Sequence, residues 1–273
     1  MDILQFLYLP FLAGLVLTGI HAYLGVHVVE RGVIFVDLSL AQIAALGTTA
    51  ALLAGHDVHS GVSYFWSLGF TILGAAIFAL TRVHRETRIP QEAIIGIVYA
   101  VSAAAAILVM SKAPQETEHL KDMLVGNILA VNTTLVVKTA GLYALVGAFH
   151  FIFRKKFLAI SLGQTESMRN VKLWDFLFYT SFGFVVTSSV AIAGVLLVFS
   201  YLIVPSVGAM LFAQSIGKRL AIGWTMGSVV TALGILLSFH YDLPTGATIV
   251  CTFGIALALM AILWAFTRRR ALA

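Results

Sequence analysis

The stretch Trp174–Ala213, WDFLFYTSFGFVVTSSVAIAGVLLVFSYLIVPSVGAMLFA, is almost entirely apolar and decides the class of fold. A helix that crosses a membrane needs about 20 mostly apolar residues. The stretch is too long for one such helix, and the small residues from Ser188 to Gly194 predict where it divides. Two spanning helices follow, Trp174–Ala191 and Gly194–Ala213.

The rest of the chain has the same character. Of its 273 residues, 60% are hydrophobic and only 11% are charged, whereas about a quarter of the residues in a soluble domain are charged. Too few polar residues are present to cover a soluble fold of this size. The composition also excludes a disordered chain, and the single cysteine excludes a disulfide scaffold. We therefore predict an all-α, polytopic helical membrane protein with a single domain over residues 1–273.

Nine stretches are long and apolar enough to cross a membrane, with eight as the alternative count. They are Gln5–Val28, Val33–Ala54, Val62–Leu80, Ala93–Met110, Asn132–Phe153, Trp174–Ala191, Gly194–Ala213, Leu220–Phe239 and Ala247–Phe266. The longest connections are Ser111–Val131 and Arg154–Leu173.

The basic residues are distributed unequally between the two sides of this layout. Fourteen of the 17 Lys and Arg follow odd-numbered spans, and Lys112, Lys121 and Lys138 are the exceptions. Cytoplasmic loops of membrane proteins carry the excess of basic residues. The distribution therefore predicts an amino terminus outside and a carboxyl terminus in the cytoplasm. It also accounts for the net charge of +5 without nucleic acid as a partner.

Catalytic signatures are missing from the sequence. There is no HExxH zinc-protease motif, and Gly217-Lys218 is followed by Arg219 rather than by the Ser or Thr of a P-loop. An intramembrane enzyme would need paired acidic groups, or a nucleophile and a base, within its spans, and few such groups are present. We therefore expect a transporter component that is not itself an enzyme, although a membrane scaffold or an intramembrane enzyme remains the alternative.

Three stretches resemble the membrane permeases of ABC importers for zinc, manganese and iron. The first is Gly25–Gly47, GVHVVERGVIFVDLSLAQIAALG, and the second is Gly194–Leu211, GVLLVFSYLIVPSVGAML. The third is Asp242–Val250, DLPTGATIV. The motif residues are Gly194, Pro205, Asp242, Pro244 and Gly246, for which helix packing and turn formation are the plain physical interpretations.

The resemblance implies a mechanism and a set of partners. The chain would be the permease subunit of a bacterial importer in the cytoplasmic (inner) membrane, working by alternating access as a permease homodimer. A cytoplasmic ABC ATPase would hydrolyse ATP, and an extracytoplasmic metal-binding protein would deliver a divalent ion. No cofactor would be tightly bound. The transported ion stays open, and a permease for a metal chelate or another small solute is the alternative.

The resemblance also implies a transient ion site on the second span. The family has an Asp and a His one turn apart there, but this chain has Leu38 and Gln42 at the matching positions, with Asp37 displaced by one. At about 100° per residue, Asp37 and Gln42 lie about 140° apart, whereas Ser39 and Gln42 share a face. The candidate path residues are therefore Asp37, Ser39 and Gln42, which supply oxygen ligands suited to harder ions than zinc.

Asp37 is the only carboxylate that this layout places inside a span and away from its ends, so it needs a partner. The passing ion is one candidate, and Arg31, six residues earlier, is the structural alternative. A second group with metal-ligand side chains, His56-Asp57-Val58-His59, lies in a predicted external turn and is a weaker candidate for an ion entrance.

The cytoplasmic segment Ile160–Asn170, ISLGQTESMRN, is the predicted contact with the ATPase. The family has a short coupling helix in this loop, with an Asp-Pro opening where this chain has Gly163-Gln164. The predicted contact residues are Gln164, Glu166, Arg169 and Asn170. We expect Ser167–Leu173 to continue as a helix into the sixth span, and a solvated basic loop is the alternative.

Overall fold

The fold is taken from a computed structural model, which describes residues 3–57, 60–82, 89–111, 128–166 and 168–272. This described part contains α-helices, one short 3-10 turn at Ile128–Ala130 and no β-strand. The helices are α1 (Ile3–Arg31), α2 (Val36–Leu53), α3 (Gly61–Leu80), α4 (Gln91–Met110), α5 (Thr133–Ile152), α6 (Arg154–Ser161), α7 (Val171–Phe212), α8 (Ile216–Tyr241) and α9 (Thr245–Leu272). The predicted all-α membrane class is confirmed.

Eight of the described helices are long and apolar enough to cross a membrane, all except α6. The predicted sixth and seventh spans are the two parts of α7, a run of 42 residues. A straight helix of that length would measure about 63 Å, roughly twice the thickness of the hydrocarbon core of a bilayer. The backbone breaks at Gly194 (φ 73°, ψ 163°), inside the segment where the sequence predicts a division. The described residues therefore give eight candidate spanning helices, and the longest of them is divided at Gly194 within the predicted segment.

Two helix starts show why the chain turns where it does. Ser60 precedes α3, and its hydroxyl accepts a hydrogen bond from the Ser63 N–H at 3.2 Å, which satisfies one of the donors left open at a helix start. Pro90 precedes α4 with φ −70°, a value that the proline ring imposes. Both helices thus begin at residues that local chemistry favours.

One compact unit of the fold comprises Met1–Val29, Val125–Tyr143 and Ile192–Ala273. Its core is built around Tyr201, which is fully buried. The Tyr201 hydroxyl lies 2.8 Å from Oγ1 of Thr231 on α8, and its ring meets Phe253 of α9 edge-on. A Cβ added at Gly234 would lie 2.8 Å from the Ile249 Cα, so α8 and α9 are in backbone contact there.

The other compact unit comprises Glu30–Leu124 and Ala144–Ala191. Helices α2 and α3 pack closely at Gly47, because a Cβ there would lie 2.7 Å from the Ser67 Cα. The hydroxyls of Thr71 and Thr187, 3.3 Å apart, join α3 to the first part of α7. This unit holds both the candidate ion-path residues and the candidate ATPase contact.

Candidate functional site

The first turn of α2 carries two of the three candidate ion-path residues. Asp37 is 2% exposed and Ser39 is fully buried, whereas Gln42 is half-buried. Among the described residues, the Asp37 Oδ1 and the Ser39 Oγ have no hydrogen-bond partner. Buried oxygens without a donor are costly. These two atoms therefore have unused capacity to accept a cation or a proton.

Glu92 of α4 lies beside the start of α2. Its Oε1 accepts a hydrogen bond of 2.9 Å from the backbone N–H of Phe35, the residue before α2. Its other carboxylate oxygen is buried and has no partner in the described part of the chain. The structure thus adds an acidic residue at this end of α2 that the sequence analysis did not select.

The α2 residues do not form a closed metal site. Within the described ranges, no group of three or more His, Cys, Asp or Glu is placed to hold a metal ion. Two carboxylates and a hydroxyl are oxygen donors of the kind that hard divalent ions prefer. This helix end therefore offers several oxygen donors, without a fixed set of metal ligands among the described residues.

Arg31 is not the partner of Asp37, so the structural alternative considered from sequence is wrong. The Arg31 Nη1 donates to the Asp175 Oδ1 at 3.0 Å, and its Nε donates to the Ser161 Oγ at 2.9 Å. Its guanidinium carbon also lies 3.7 Å from the centre of the Phe178 ring. Asp175, in the first turns of α7, is 1% exposed. Asp37 is therefore not the only carboxylate buried within a spanning helix.

Asp175 binds a second arginine. The Arg82 Nη1, just after α3, donates to the Asp175 Oδ2. A polar cavity of about 370 Å³ adjoins this cluster, and it is lined by Glu30, Arg31, Val33, Arg82, Gln91, Ile160, Ser161, Leu162, Gly163, Asp175 and Tyr179. One buried carboxylate thus joins the ends of α1 and α3 to the start of α7. Sequence analysis missed Asp175 because it lies near a span end beside basic residues, where a solvated carboxylate is the ordinary expectation.

The predicted ATPase contact lies between α6 and α7. Its four candidate residues, Gln164, Glu166, Arg169 and Asn170, are all exposed. The expected helix over Ser167–Leu173 is wrong in its start, because α7 begins at Val171 and Asn170 has a left-handed φ of 62°. The Asn170 carbonyl accepts the N–H of Leu173 at 3.1 Å. Ser167 lies outside the described residues.

The short helix of this region is α6, which precedes the predicted contact. Phe157 is fully buried, and its ring meets Trp174 edge-on with centroids 5.8 Å apart. The basic residues Arg154, Lys155 and Lys156 are exposed. Helix α6 is therefore anchored to α7 by its apolar face and presents its basic face outward.

The motif residues of α7 lie against another motif segment. Pro205 is buried within α7, and the proline ring removes a hydrogen bond from the preceding turn. Ser206 donates to the Leu202 carbonyl at 2.8 Å and contacts the Ala22 carbonyl at 3.3 Å. A Cβ at Gly25 would collide with the Leu202 carbonyl oxygen and the Ser206 hydroxyl. The Gly25 and Pro205 segments are thus held in direct contact.

The third motif forms the turn between α8 and α9. Asp242 ends α8 with a left-handed φ of 51°, and Pro244 and Gly246 follow it. The Ser238 hydroxyl lies 2.7 Å from the Leu243 carbonyl and 2.6 Å from the Thr245 hydroxyl. This motif therefore has a turn-forming role in the structure.

The weaker entrance candidate is only partly described. His56 and Asp57 follow α2, while Val58 and His59 lie outside the described residues. Most of the predicted external connection, residues 112–127, also lies outside them.

Comparisons with known proteins agree with this architecture. The model of the ABC 3 transport family matches residues 3–265. The manganese transport system membrane protein MntC of Listeria monocytogenes is 28% identical over 205 residues, covering 71% of this chain and 73% of its own. The chelated iron transport system membrane protein YfeC of Yersinia pestis is 26% identical, covering 71% and 69%.

A solved structure has the same fold. It is PsaBC from Streptococcus pneumoniae in complex with Fab, with a TM-score of 0.76 and 24% identity. The match covers 95% of this chain and 93% of that one.

Proposed function

The chain belongs to the ABC 3 transport family, and from this membership we propose that it is the permease subunit of an ATP-driven importer for a divalent metal ion. The observation that carries the proposal is the family match over residues 3–265, together with eight helices of spanning length. Zinc, manganese and iron are the candidate ions. The names of relatives include both a manganese system and a chelated iron system, so a permease for a metal chelate is the second candidate.

The permease works with three partners in this proposal. A cytoplasmic ABC ATPase binds at Ile160–Asn170, where Gln164, Glu166, Arg169 and Asn170 are exposed. A second copy of the permease completes a homodimer, and an extracytoplasmic metal-binding protein delivers the ion. The chain hydrolyses no ATP itself, because its sequence has no P-loop.

The proposed orientation places the amino terminus outside and the carboxyl terminus in the cytoplasm of a bacterial cell. The distribution of basic residues supports this arrangement in the cytoplasmic membrane. It also puts α6 and its exposed basic residues Arg154, Lys155 and Lys156 on the ATPase side.

The ion passes the start of α2 on its way through the permease. Asp37 and Ser39 supply buried oxygens that lack partners among the described residues, and Gln42 supplies a half-buried amide oxygen. A hard ion such as manganese suits this set better than zinc does, because zinc prefers imidazole and thiolate. Few fixed ligands also favour fast release of the ion.

The test is transport by the reconstituted complex. The permease, its ATPase and its binding protein are placed in liposomes, and ATP-dependent uptake of manganese, zinc and ferrous iron is measured with and without the binding protein. Uptake of at least one free ion supports the proposal. Uptake of an iron chelate with no uptake of the free ions supports the second candidate. ATP hydrolysis without uptake of a free ion or of the chelate contradicts both candidate functions.

A further inference from the structure

One guanidinium joins both ends of the segment that follows α6. The Arg31 Nε donates to Ser161, the last residue of α6, at 2.9 Å. The Arg31 Nη1 donates to Asp175, in the early turns of α7, at 3.0 Å. Arg31 therefore contacts the residue before this segment and a residue of the helix after it, and the exposed candidates for ATPase contact lie between those two points.

We infer that Arg31 is a positioning residue that couples this segment to α1, so that movement imposed on residues 162–170 by the ATPase is passed to a membrane-spanning helix. Arg31 is the last residue of α1. The inference rests on the proposed function, because it assigns a role to Arg31 within the same transport cycle.

The surroundings of Arg31 hold its side chain in one orientation. Its guanidinium carbon lies 3.7 Å from the centre of the Phe178 ring, and its side chain is only 6% exposed. Asp175 is 2% exposed at its side chain and also accepts from Arg82. A planar guanidinium held on three sides has fixed donor directions. A pull on Ser161 or Asp175 is therefore transmitted to α1 rather than absorbed by rotation of the side chain.

A cavity lies beside these contacts of Arg31. The cavity of about 370 Å³ is lined by Arg31, Ser161, Gly163 and Asp175 together with other polar residues. The buried Arg31 Nη2 has no hydrogen-bond partner among the described residues. Gly163 has a positive φ of 72°, a conformation that glycine adopts without strain. The turn that follows Ser161 therefore lies directly against this cavity.

The aromatic contacts of α6 and α7 extend the same connection. Phe157 of α6 meets both Trp174 and Phe178 of α7, with ring centroids 5.8 Å and 6.0 Å apart. Phe178 is also the ring beneath Arg31. The end of α6 and the start of α7, which flank residues 162–170, are thus packed together with Arg31.

The experiment measures the number of ATP molecules hydrolysed for each metal ion transported by the full complex in liposomes. Arg31→Lys keeps the charge but loses the planar fork, so the bonds to Ser161 and Asp175 no longer come from two donors in fixed directions. Ser161→Ala keeps the buried ion pair and removes the bond from Arg31, together with the hydrogen bond that Ser161 donates to the Phe157 carbonyl within α6 at 3.0 Å. We expect uptake to fall roughly tenfold in Arg31→Lys, as one charge-assisted hydrogen bond is lost, with ATP hydrolysis retained. Uptake by the Ser161→Ala variant should also fall, but by less than uptake by Arg31→Lys.

Arg219→Lys is the matched control. Arg219 also joins the ends of a connection, because its Nε donates to the Ala213 carbonyl between α7 and α8 at 3.0 Å. A merely structural role for Arg31 would lower the amount of folded complex and leave the ATP cost per ion unchanged. The inference is overturned if the number of ATP molecules hydrolysed per ion is unchanged in both Arg31→Lys and Ser161→Ala. It is also overturned if that number rises equally in Arg219→Lys.

Two further outcomes are decisive. If Arg31→Lys fails to assemble, Ser161→Ala decides alone, since it leaves the ion pair in place. A wild-type complex that hydrolyses ATP but moves neither free metal ions nor a chelate contradicts the proposed function itself. A wild-type complex that transports normally, with variants of equal ATP cost, contradicts only the role of Arg31.

Discussion

The carboxylate of Glu92 accepts the backbone N–H of Phe35 at 2.9 Å, across 57 residues of sequence. Phe35 directly precedes α2, and its own side chain makes no capping hydrogen bond. Glu92 therefore supplies from α4 the acceptor for the N-cap N–H, which in a capping box comes from the Glu or Gln side chain at the third helix position. It fixes the start of α2, and with it the position of Asp37.

Glu92→Ala should lower the free energy of unfolding by about 1 kcal/mol, the usual net contribution of one hydrogen bond. Glu92→Gln should cost much less, because an amide oxygen can still accept the Phe35 N–H. Unfolding of the purified permease in mixed micelles of increasing SDS content measures both. Equal losses in the two variants would show that the charge, rather than the hydrogen bond, holds α2.

Asp37→Asn should lower metal uptake roughly tenfold at normal protein abundance, as expected when a charged contact to the ion is lost. Asp242→Asn is the control, since Asp242 is an exposed carboxylate in the turn after α8 and asparagine also tolerates its left-handed φ. Uptake by cells and protein level in membranes are measured together. Full uptake in Asp37→Asn would end the proposed role of Asp37 in the ion path.

Adding Arg31→Gln to Asp37→Asn should not restore either abundance or uptake. Arg31 pairs with Asp175 rather than with Asp37, so the second change leaves Asp175 with one arginine fewer. Loss of one partner from a buried pair is strongly destabilising. Abundance of the double variant below that of Asp37→Asn is the expected result, and recovery would mean that Arg31 and Asp37 do interact.

Gln42→His should shift the preference of the transporter toward zinc, because imidazole is a better ligand for zinc than an amide oxygen. Competition between zinc and manganese for uptake measures the shift. Ser39→Ala in the same assay tests whether the neighbouring hydroxyl contributes to the manganese side of that preference. An unchanged ratio in Gln42→His would place residue 42 outside the path.

Gly194→Ala should destabilise the protein by about 1–3 kcal/mol, since φ 73° with ψ 163° is a conformation open essentially to glycine alone. Gly147→Ala in α5 is the control, because a Cβ there meets nothing within 4 Å. That variant should be neutral or more stable, alanine being the better helix former. Matching thermal midpoints for the two variants would contradict a strained break at Gly194.

The break at Gly194 also bears on orientation. If both parts of α7 cross the membrane, the chain makes nine crossings, and its termini lie on opposite sides. A reporter active only in the cytoplasm should then work when fused after Ala273 and fail when inserted near Pro114. The reverse pattern would overturn the orientation, and activity at both sites would contradict the layout.

Composition and local sequence pattern are sufficient to determine the structural class of this protein. The apolar stretches predict helices wherever about 20 apolar residues follow one another, because inside a membrane the backbone N–H and C=O groups must bond to each other. The break at Gly194 was predictable for a similar reason, since a glycine after several small residues is a local feature. The position of Asp37 within a helix follows from the same local pattern.

Only the tertiary structure decided which side chains pair. Sequence proximity made Arg31, six residues away, one of two candidate partners of Asp37, yet Arg31 bonds Asp175 across 144 residues and Ser161 across 130. A buried charge is costly unless it is paired, but the sequence alone offers several possible partners for each charged side chain. Helix packing brings only some of them within 3 Å, and that packing depends on contacts, such as Gly47 on Ser67, between helices distant in sequence.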